Sequence, residues 1–207
     1  MNYIVLDFEF NQAFDFDENC PCDPFPECRF EIIQIGAVKL DDNFNETDSF
    51  NILIKPQIYT RIHPYVQKIT GITDEMLESQ YDFPAAAKKF YEFMGEDRML
   101  CVWGKSDIRT LYRNLVYHRL IVPPVIIRYI DVQALATSYL KYSKGGAVGL
   151  KNAVELLEIP SNDDEFHNAL YDAKYTAKVF NIVKKKKLPI KIFNSSHIIT
   201  KNSIGHS

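Results

Sequence analysis

YIVLDFEF, the stretch at residues 3–10, decides the fold because it has the pattern of a strand and carries two acids. Its β-branched and aromatic residues are typical of strands. Side chains two residues apart on a strand point to the same face, so Asp7 and Glu9 lie side by side. Burying two like charges is costly unless a cation neutralises them, and oxygen ligands suit a hard divalent ion. The stretch therefore predicts a metal site on a buried strand. The alternative is an edge strand whose acids face water.

The strands that follow indicate a mixed sheet. EIIQIGAVKL (31–40) and DSFNILIK (48–55) are strands with no helix between them, which indicates an antiparallel meander. Further along, strands alternate with helices, which implies parallel pairing. These later elements are strands at 99–103 and 125–130 and helices at 83–94, 107–120, 131–140, 149–157 and 167–183. We therefore expect one α/β domain, residues 1–183, with a mixed five-stranded sheet flanked by helices.

A long connection, residues 11–30, separates the first two strands and is rich in cysteine and acids. Loops of that length are usually functional or disordered. The loop carries three thiols, at Cys20, Cys22 and Cys28. A structural zinc ion needs four ligands, and the conceivable fourth ligands are Cys101 and His63. The spacing matches no zinc motif, which favours a loose loop with reduced thiols whose acids restrict access to the site.

Composition limits the function classes. The 207 residues are 46% hydrophobic, enough for one sizeable core, and carry a net charge of −3. That balance excludes a protein that holds nucleic acid by positive charge alone, although bound metal ions would reverse the local field. No export signal or membrane-spanning segment is visible, so we expect a cytoplasmic protein without disulfides and without membrane contact. Residues 184–207 are polar and aperiodic, which predicts a flexible tail.

Three more polar residues complete a candidate site. Asp107 follows a strand and a Gly-containing turn, at the start of a helix, where the helix dipole favours an Asp in any case. His167 and Asp172 are five residues apart, which on a continuous helix separates their directions by roughly 140°. They can converge if His167 precedes the helix and Asp172 lies one turn inside it. Taken alone, Asp107 fits an ordinary helix N-terminal residue, and His167 an ordinary surface histidine, better than a catalytic role.

The combination is more specific than its parts. D-x-E on the first strand, an Asp after W-G-x-x and H-x(4)-D at the last helix, in this order, resemble the DEDDh exonuclease family. Three other segments also resemble that family: EIIQIGAVKL (31–40), ITGITDEML (69–77) and GLKNAVELLEIP (149–160). The resemblance spans about residues 1–183 and implies the ribonuclease H-like fold. Within the family, the chain most resembles the branch of exonucleases that trim RNA 3′ ends.

The resemblance implies a role for each of five residues. The four metal ligands are matched by Asp7, Glu9, Asp107 and Asp172, and the general base by His167. A sibling family has a tyrosine four residues before the last Asp, and Asn168 occupies that position here. Four carboxylates balance two divalent ions, and oxygen ligands suit Mg²⁺ or Mn²⁺ better than zinc. An imidazole exchanges protons near neutral pH, so His167 can take the proton of an attacking water.

These matches imply a 3′-to-5′ exonuclease that hydrolyses phosphodiester bonds at single-stranded RNA or DNA ends by a two-metal-ion mechanism. The candidate substrate contacts are Phe10, Gly71 and Ile72. Strand alternation turns Phe10 away from the acids, and a turn and a core residue account almost as well for the other two. For Trp103 a core position is favoured over base stacking. The alternatives are a catalytically silent nucleic-acid-binding or interaction module of the same fold, and a metal-dependent phosphatase.

Overall fold

The computed structural model describes residues 1–13, 28–122, 125–143 and 145–196. The strands in these ranges are β1 (Asn2–Gln12), β2 (Phe30–Leu40), β3 (Glu46–Leu53), β4 (Arg98–Val102), β5 (Ile126–Asp131) and β6 (Ile190–Asn194). The helices are α1 (Pro64–Thr70), α2 (Asp74–Leu77), α3 (Phe83–Met94), α4 (Ser106–Tyr117), α5 (Val132–Tyr139), α6 (Leu150–Leu156) and α7 (Ala169–Val183). A 3₁₀ turn, Asp163–Glu165, precedes α7.

The described strands form one mixed sheet in the order β3-β2-β1-β4-β5-β6. The first three strands pair antiparallel, as expected for a meander. β4 then pairs parallel to β1, and β5 parallel to β4. The predicted mixed α/β architecture is therefore confirmed. β1 lies inside the sheet, so the alternative of an edge strand for the D-x-E stretch is wrong.

Helices cover both faces of the sheet, and β1 contributes alternate residues to each core. Tyr3 and Val5 lie in the core that packs against α5, α6 and α7. Ile4, Leu6 and Phe8 lie in the core that packs against α3 and α4. Because side chains alternate along a strand, Asp7 and Glu9 follow Val5 onto the face that carries α7. This alternation decides which helix can meet the two acids.

The sheet has six strands rather than the predicted five, and the extra strand corrects the assignment of a tail from residue 184. Ile190–Asn194 pair antiparallel with β5. Ser195 continues this pairing, because its N–H donates to the Val125 carbonyl and its Oγ accepts from the Val125 N–H. The sequence pattern hid this strand because Ile190 and Ile192 are exposed on an edge, where backbone pairing rather than side-chain burial holds the segment. Residues 197–207 lie outside the described part.

The cysteine-loop hypothesis falls mostly outside the described residues, which exclude Cys20 and Cys22. Cys28 is buried beside Ile58 and Tyr59, and burial raises its thiol pKa to about 12. Cys101 lies in the other core, beneath α7, where burial also raises the thiol pKa. Both described cysteines are thus free thiols with no tendency to ionise.

Within the described ranges, no helix is both long enough and apolar enough to cross a membrane.

Candidate active site

Three carboxylates from two distant parts of the chain meet on one face of the sheet. Asp7 and Glu9 project from β1, and Asp172 projects from the first turn of α7. One potential ligand oxygen from each lies within 4.8 Å of the others. Glu9 is 9% exposed, and the other two are half-buried. The described residues therefore contain a compact group of oxygen donors of the size that a metal ion requires.

The approach of α7 to β1 depends on a glycine of the neighbouring strand. Gly36 pairs with Asp7 across β1 and β2. A Cβ at this position would lie 2.1 Å from both the Ala169 carbonyl carbon and the Leu170 nitrogen. The first turn of α7 thus touches the backbone of β2, which only a residue without a side chain permits. Gly36 was not singled out from the sequence, although a glycine inside a strand pattern is a known sign of close backbone approach.

Gln34 of β2 also holds the N-terminal end of α7. Gln34, which pairs with Glu9, accepts a hydrogen bond from the Ala169 N–H through Oε1 at 3.2 Å. Its Nε2 donates to Asn51 Oδ1 at 2.9 Å, so the amide is held at both ends. The first N–H groups of a helix have no partner within the helix, and Gln34 supplies one from another strand. This residue too was missed from the sequence.

Asp107 approaches the cluster from the next strand. β4 runs parallel to β1, so the carboxyl ends of both strands reach the same edge of the sheet. Asp107 lies in the first turn of α4 and is 5% exposed. Repulsion from its charge contributes to the raised pKa values of both Asp7 and Glu9. The fourth predicted acid therefore belongs to the same electrostatic site, although it is not one of the three with donor atoms within 4.8 Å of one another.

Burial makes these carboxylates weaker acids than usual. It raises the pKa of Glu9 to about 8 and that of Asp107 to about 7. For Asp7, burial and then repulsion by the other acids raise the pKa well above its usual range. Burial also raises the pKa of Asp172 to about 6, although the His167 N–H opposes this effect. A bound cation would reverse these shifts by favouring the ionised forms.

The donor set fits a hard divalent cation. Asp172 Oδ1 is buried and has no hydrogen-bond partner among the described residues. Buried acceptors are nearly always satisfied, so an orphaned oxygen at the centre of an acidic cluster indicates a missing partner of opposite charge. All donors in the cluster are carboxylate oxygens, which suit Mg²⁺ or Mn²⁺ better than softer metals.

His167 lies just before α7 and Asp172 one turn inside it, in the arrangement that lets the two residues converge. The His167 N–H donates to Asp172 Oδ2 at 3.1 Å. This bond requires the left-handed backbone conformation at His167, where φ is 63°. Asn168 caps the helix by accepting a hydrogen bond from the Leu170 N–H. The His167 side chain is exposed beside the cluster.

The candidate substrate contacts are not part of the carboxylate cluster. Phe10 follows a β-bulge and packs in the core, with its ring centroid 6.2 Å from that of Phe30. Ile72 is buried in a small cluster under α1, whereas Gly71 is exposed and ends α1 with φ 71°. Trp103 packs against the core beneath α7, and its Nε1 has no partner among the described residues.

Comparison with known sequences identifies the family. Residues 4–180 match the model of the exonuclease family RNase_T. A PolC-type DNA polymerase III from Thermotoga petrophila is 33% identical over 183 residues, which cover 86% of this chain and 11% of the polymerase. The 3′-5′ exoribonuclease 1 of Homo sapiens is 25% identical over 188 residues, which cover 86% of this chain and 53% of that protein. The chain thus spans about a tenth of the polymerase that it matches.

Comparison with solved structures identifies the fold. The nuclease domain of 3′hExo, a DEDDh family member bound to rAMP, aligns with a TM-score of 0.75. The alignment covers 92% of this chain and 96% of that domain at 23% identity. At that identity the likeness shows the fold alone, and it confirms the fold expected from the sequence. The chain therefore belongs to the exonuclease family RNase_T, and it has the fold of a DEDDh exonuclease.

Proposed function

We propose that this chain is a metal-dependent 3′-to-5′ exonuclease that hydrolyses phosphodiester bonds at single-stranded ends of RNA or DNA. One observation carries the proposal: carboxylates from β1 and α7 are held within 4.8 Å of one another in a poorly solvated place. Their mutual repulsion destabilises the fold unless a cation is present. A catalytically silent module of the same fold would have no physical need for such an arrangement.

The residues that would hold two Mg²⁺ or Mn²⁺ ions are Asp7, Glu9, Asp107 and Asp172. When bound, the ions supply stabilisation of the negative charge that develops on the phosphate. The protein contributes a rigid set of donors, since β1 is buried on both faces and α7 is fixed against β2. Rigid donors keep their positions during the reaction, which is the condition for electrostatic stabilisation of a transition state.

His167 is the proposed general base. Its backbone N–H is bonded to Asp172, so the residue that accepts the proton is tied to a residue that would hold metal. Its exposed imidazole can take the proton from the attacking water and release it to solvent. Of the candidate substrate contacts, we retain Gly71, because it is exposed at the end of α1. Ile72 is buried under α1 and is not retained. Phe10 is half-buried against the core beneath α3 and α4, and it is not retained either.

RNA and DNA are both candidate substrates. The relatives include a DNA polymerase and an exoribonuclease, and the sequence motifs resemble most the RNA-trimming branch. The decisive experiment uses oligonucleotides of both kinds, labelled at the 5′ end, with a free or a blocked 3′ end and with Mn²⁺, Mg²⁺ or chelator. We expect products that shorten from the free 3′ end one nucleotide at a time, and none with chelator.

Two variants make the test specific to the site. Asp7→Asn should lower the rate by at least about a hundredfold, since a bound metal ion supplies several kcal/mol of charge stabilisation. Glu92→Gln, a loss of an exposed acid on α3, should leave the rate unchanged. Full activity after chelation, equal cleavage of strands with blocked ends, or hydrolysis of small phosphomonoesters alone would each contradict the proposed function.

A further inference from the structure

Positive charge in this chain is concentrated next to the candidate active site. Residues 173–196 contain seven lysines and no acid, in a chain whose net charge is −3. Removing those seven charges leaves −10 on the rest of the chain. Residues 173–183 of this segment belong to α7, whose first turn carries Asp172. This segment therefore attracts a polyanion, whereas the net charge of the rest of the chain repels it.

The solvent-facing side of α7 presents the charges that are available for a ligand. Tyr171, Lys174 and Lys178 share this side, because residues three and four apart on a helix are neighbours. Neither lysine forms a salt bridge within the part of the chain that the structure describes. Each Nζ lies over an aromatic ring, 5.9 Å from the centroid of Tyr171 for Lys174 and 5.0 Å from that of Tyr175 for Lys178.

Other charged groups of this segment and of the turn before α7 are already engaged. Lys184 donates to the Asn181 carbonyl at 2.7 Å, and Lys191 pairs with Asp131 at 2.7 Å. In the 3₁₀ turn before α7, Glu165 accepts a hydrogen bond from the Tyr175 hydroxyl. Asp163 of the same turn pairs with Lys151 at 2.9 Å. The lysines that remain for an external partner are Lys174 and Lys178 on α7 and the exposed Lys185, Lys186 and Lys187 after it.

We propose that this surface, formed by Tyr171, Lys174, Lys178 and the lysines at 185–187, binds the phosphodiester backbone of the strand whose 3′ end occupies the active site. The inference rests on the proposed function, because that function brings a strand end to Asp172. From Asp172 to Val183, α7 extends about 17 Å. A surface of this length can contact several consecutive phosphates of one strand. The surface would thus hold the nucleotides that follow the one being removed.

The partner chemistry follows from the pattern of side chains. Lysine ammonium groups bind phosphates as point charges, without sequence preference. Tyr171 is 39% exposed beside Asp172, and an exposed ring next to lysines suits stacking of an unpaired base. Each phosphate contact of a single strand releases bound counterions. For each contact, a tenfold rise in salt concentration therefore lowers the association constant by about 0.7 log units. Binding along α7 therefore has a measurable salt signature.

The test compares substrate lengths in the double variant Lys174→Gln/Lys178→Gln. A 20-nucleotide single strand can reach the surface, whereas a dinucleotide cannot. We expect the ratio of the KM for the 20-mer to the KM for the dinucleotide to rise by about tenfold. The slope of log affinity against log salt concentration should become shallower by about 1.4, because two phosphate contacts are lost. The variant Lys174→Arg/Lys178→Arg keeps both charges and should restore the ratio. Parallel RNA and DNA arms show which backbone the surface holds more tightly.

A matched control removes two exposed lysines from the opposite face of the sheet. Lys88→Gln/Lys89→Gln on α3 changes the net charge equally and should leave the length ratio and the salt slope unchanged. The inference is overturned if both glutamine variants behave alike, or if the α7 variant changes only binding to vesicles of anionic lipid. Failure of the proposed function looks different, since wild-type protein would then cleave neither the dinucleotide nor the 20-mer.

Discussion

Asp172 connects the backbone of the last helix to the candidate chemistry. Its Oδ2 is held by the His167 N–H, while Oδ1 is buried and without a partner among the described residues. This division depends on the positive φ of His167, since a non-glycine residue adopts that conformation only where the surrounding structure requires it. The sequence predicted a helix from residue 167, and the spacing showed only that His167 and Asp172 converge if His167 precedes the helix. It did not reveal the left-handed backbone, which is a property of the docked helix end.

At the residue scale, substitutions of His167 separate its backbone role from its imidazole. His167→Ala and His167→Asn should each lower the single-turnover cleavage rate by about a hundredfold to ten-thousandfold, because both remove the base. Metal binding should persist in both, since the four carboxylates remain. Alanine should also destabilise the fold by about 1 kcal/mol relative to asparagine, which tolerates the left-handed conformation. Urea denaturation measures that difference. A near wild-type rate in the asparagine variant would show that His167 is not the base.

At the element scale, the site depends on where α7 docks. Gly36 lets the helix backbone touch β2, and Gln34 supplies an acceptor for its first N–H. Both residues stand opposite the two acids of β1 in register, so strand pairing and helix docking place Asp172 together. The sequence indicated the acids through their order and spacing. It did not indicate these partners, because their function depends on which helix packs on which strand.

The secondary-structure prediction was more accurate for some elements than for others. β1, β2 and the elements from α3 to α7 have apolar patterns set by burial, and the sequence predicted them to within a few residues. β6 escaped because its outward-facing isoleucines and short length give no alternation of buried and exposed residues. A strand held mainly by backbone pairing on an edge leaves little mark in the sequence.

Gly36→Ala tests the docking of α7. The added Cβ would overlap the backbone at Ala169, so the helix must shift, at a cost of about 1–3 kcal/mol or more. The shift moves Asp172 away from β1, and we expect weaker Mn²⁺ binding, measured by calorimetry, together with lower stability. Gly149→Ala is the matched control, because a Cβ there meets open space at φ −71°. Its Mn²⁺ affinity should equal that of wild type, and its stability should fall less than that of Gly36→Ala, because alanine there is only a poorer N-cap than glycine. Unchanged Mn²⁺ affinity in Gly36→Ala would show that the docking does not position Asp172.

At the scale of the whole molecule, the acidic cluster makes the metal-free fold sensitive to pH. Burial, and then repulsion by Asp172 and Asp107, raise the pKa of Glu9 to about 8. Burial raises the pKa of Asp107 to about 7 and that of Asp172 to about 6. In the unfolded chain these groups titrate near their ordinary values, about 4. Between pH 4 and pH 8 the folded state therefore binds more protons than the unfolded state. The linkage relation then requires stability to decrease as pH rises through this window.

We expect the free energy of unfolding of the metal-free protein to fall between about pH 4 and about pH 8, as measured by urea denaturation in chelator. Saturating Mg²⁺ or Mn²⁺ should flatten the profile, because a cation stabilises the ionised carboxylates that are otherwise disfavoured. Other groups titrate as well, so the cluster is isolated by the difference between wild type and Asp7→Asn. That variant removes one charge from a repelling group, and without metal it should be more stable than wild type at pH 8 and less pH-dependent. If the two proteins show parallel curves of unfolding free energy against pH in chelator, the four carboxylates do not repel one another in the folded state. Relief of repulsion would then not explain why the cluster binds a cation.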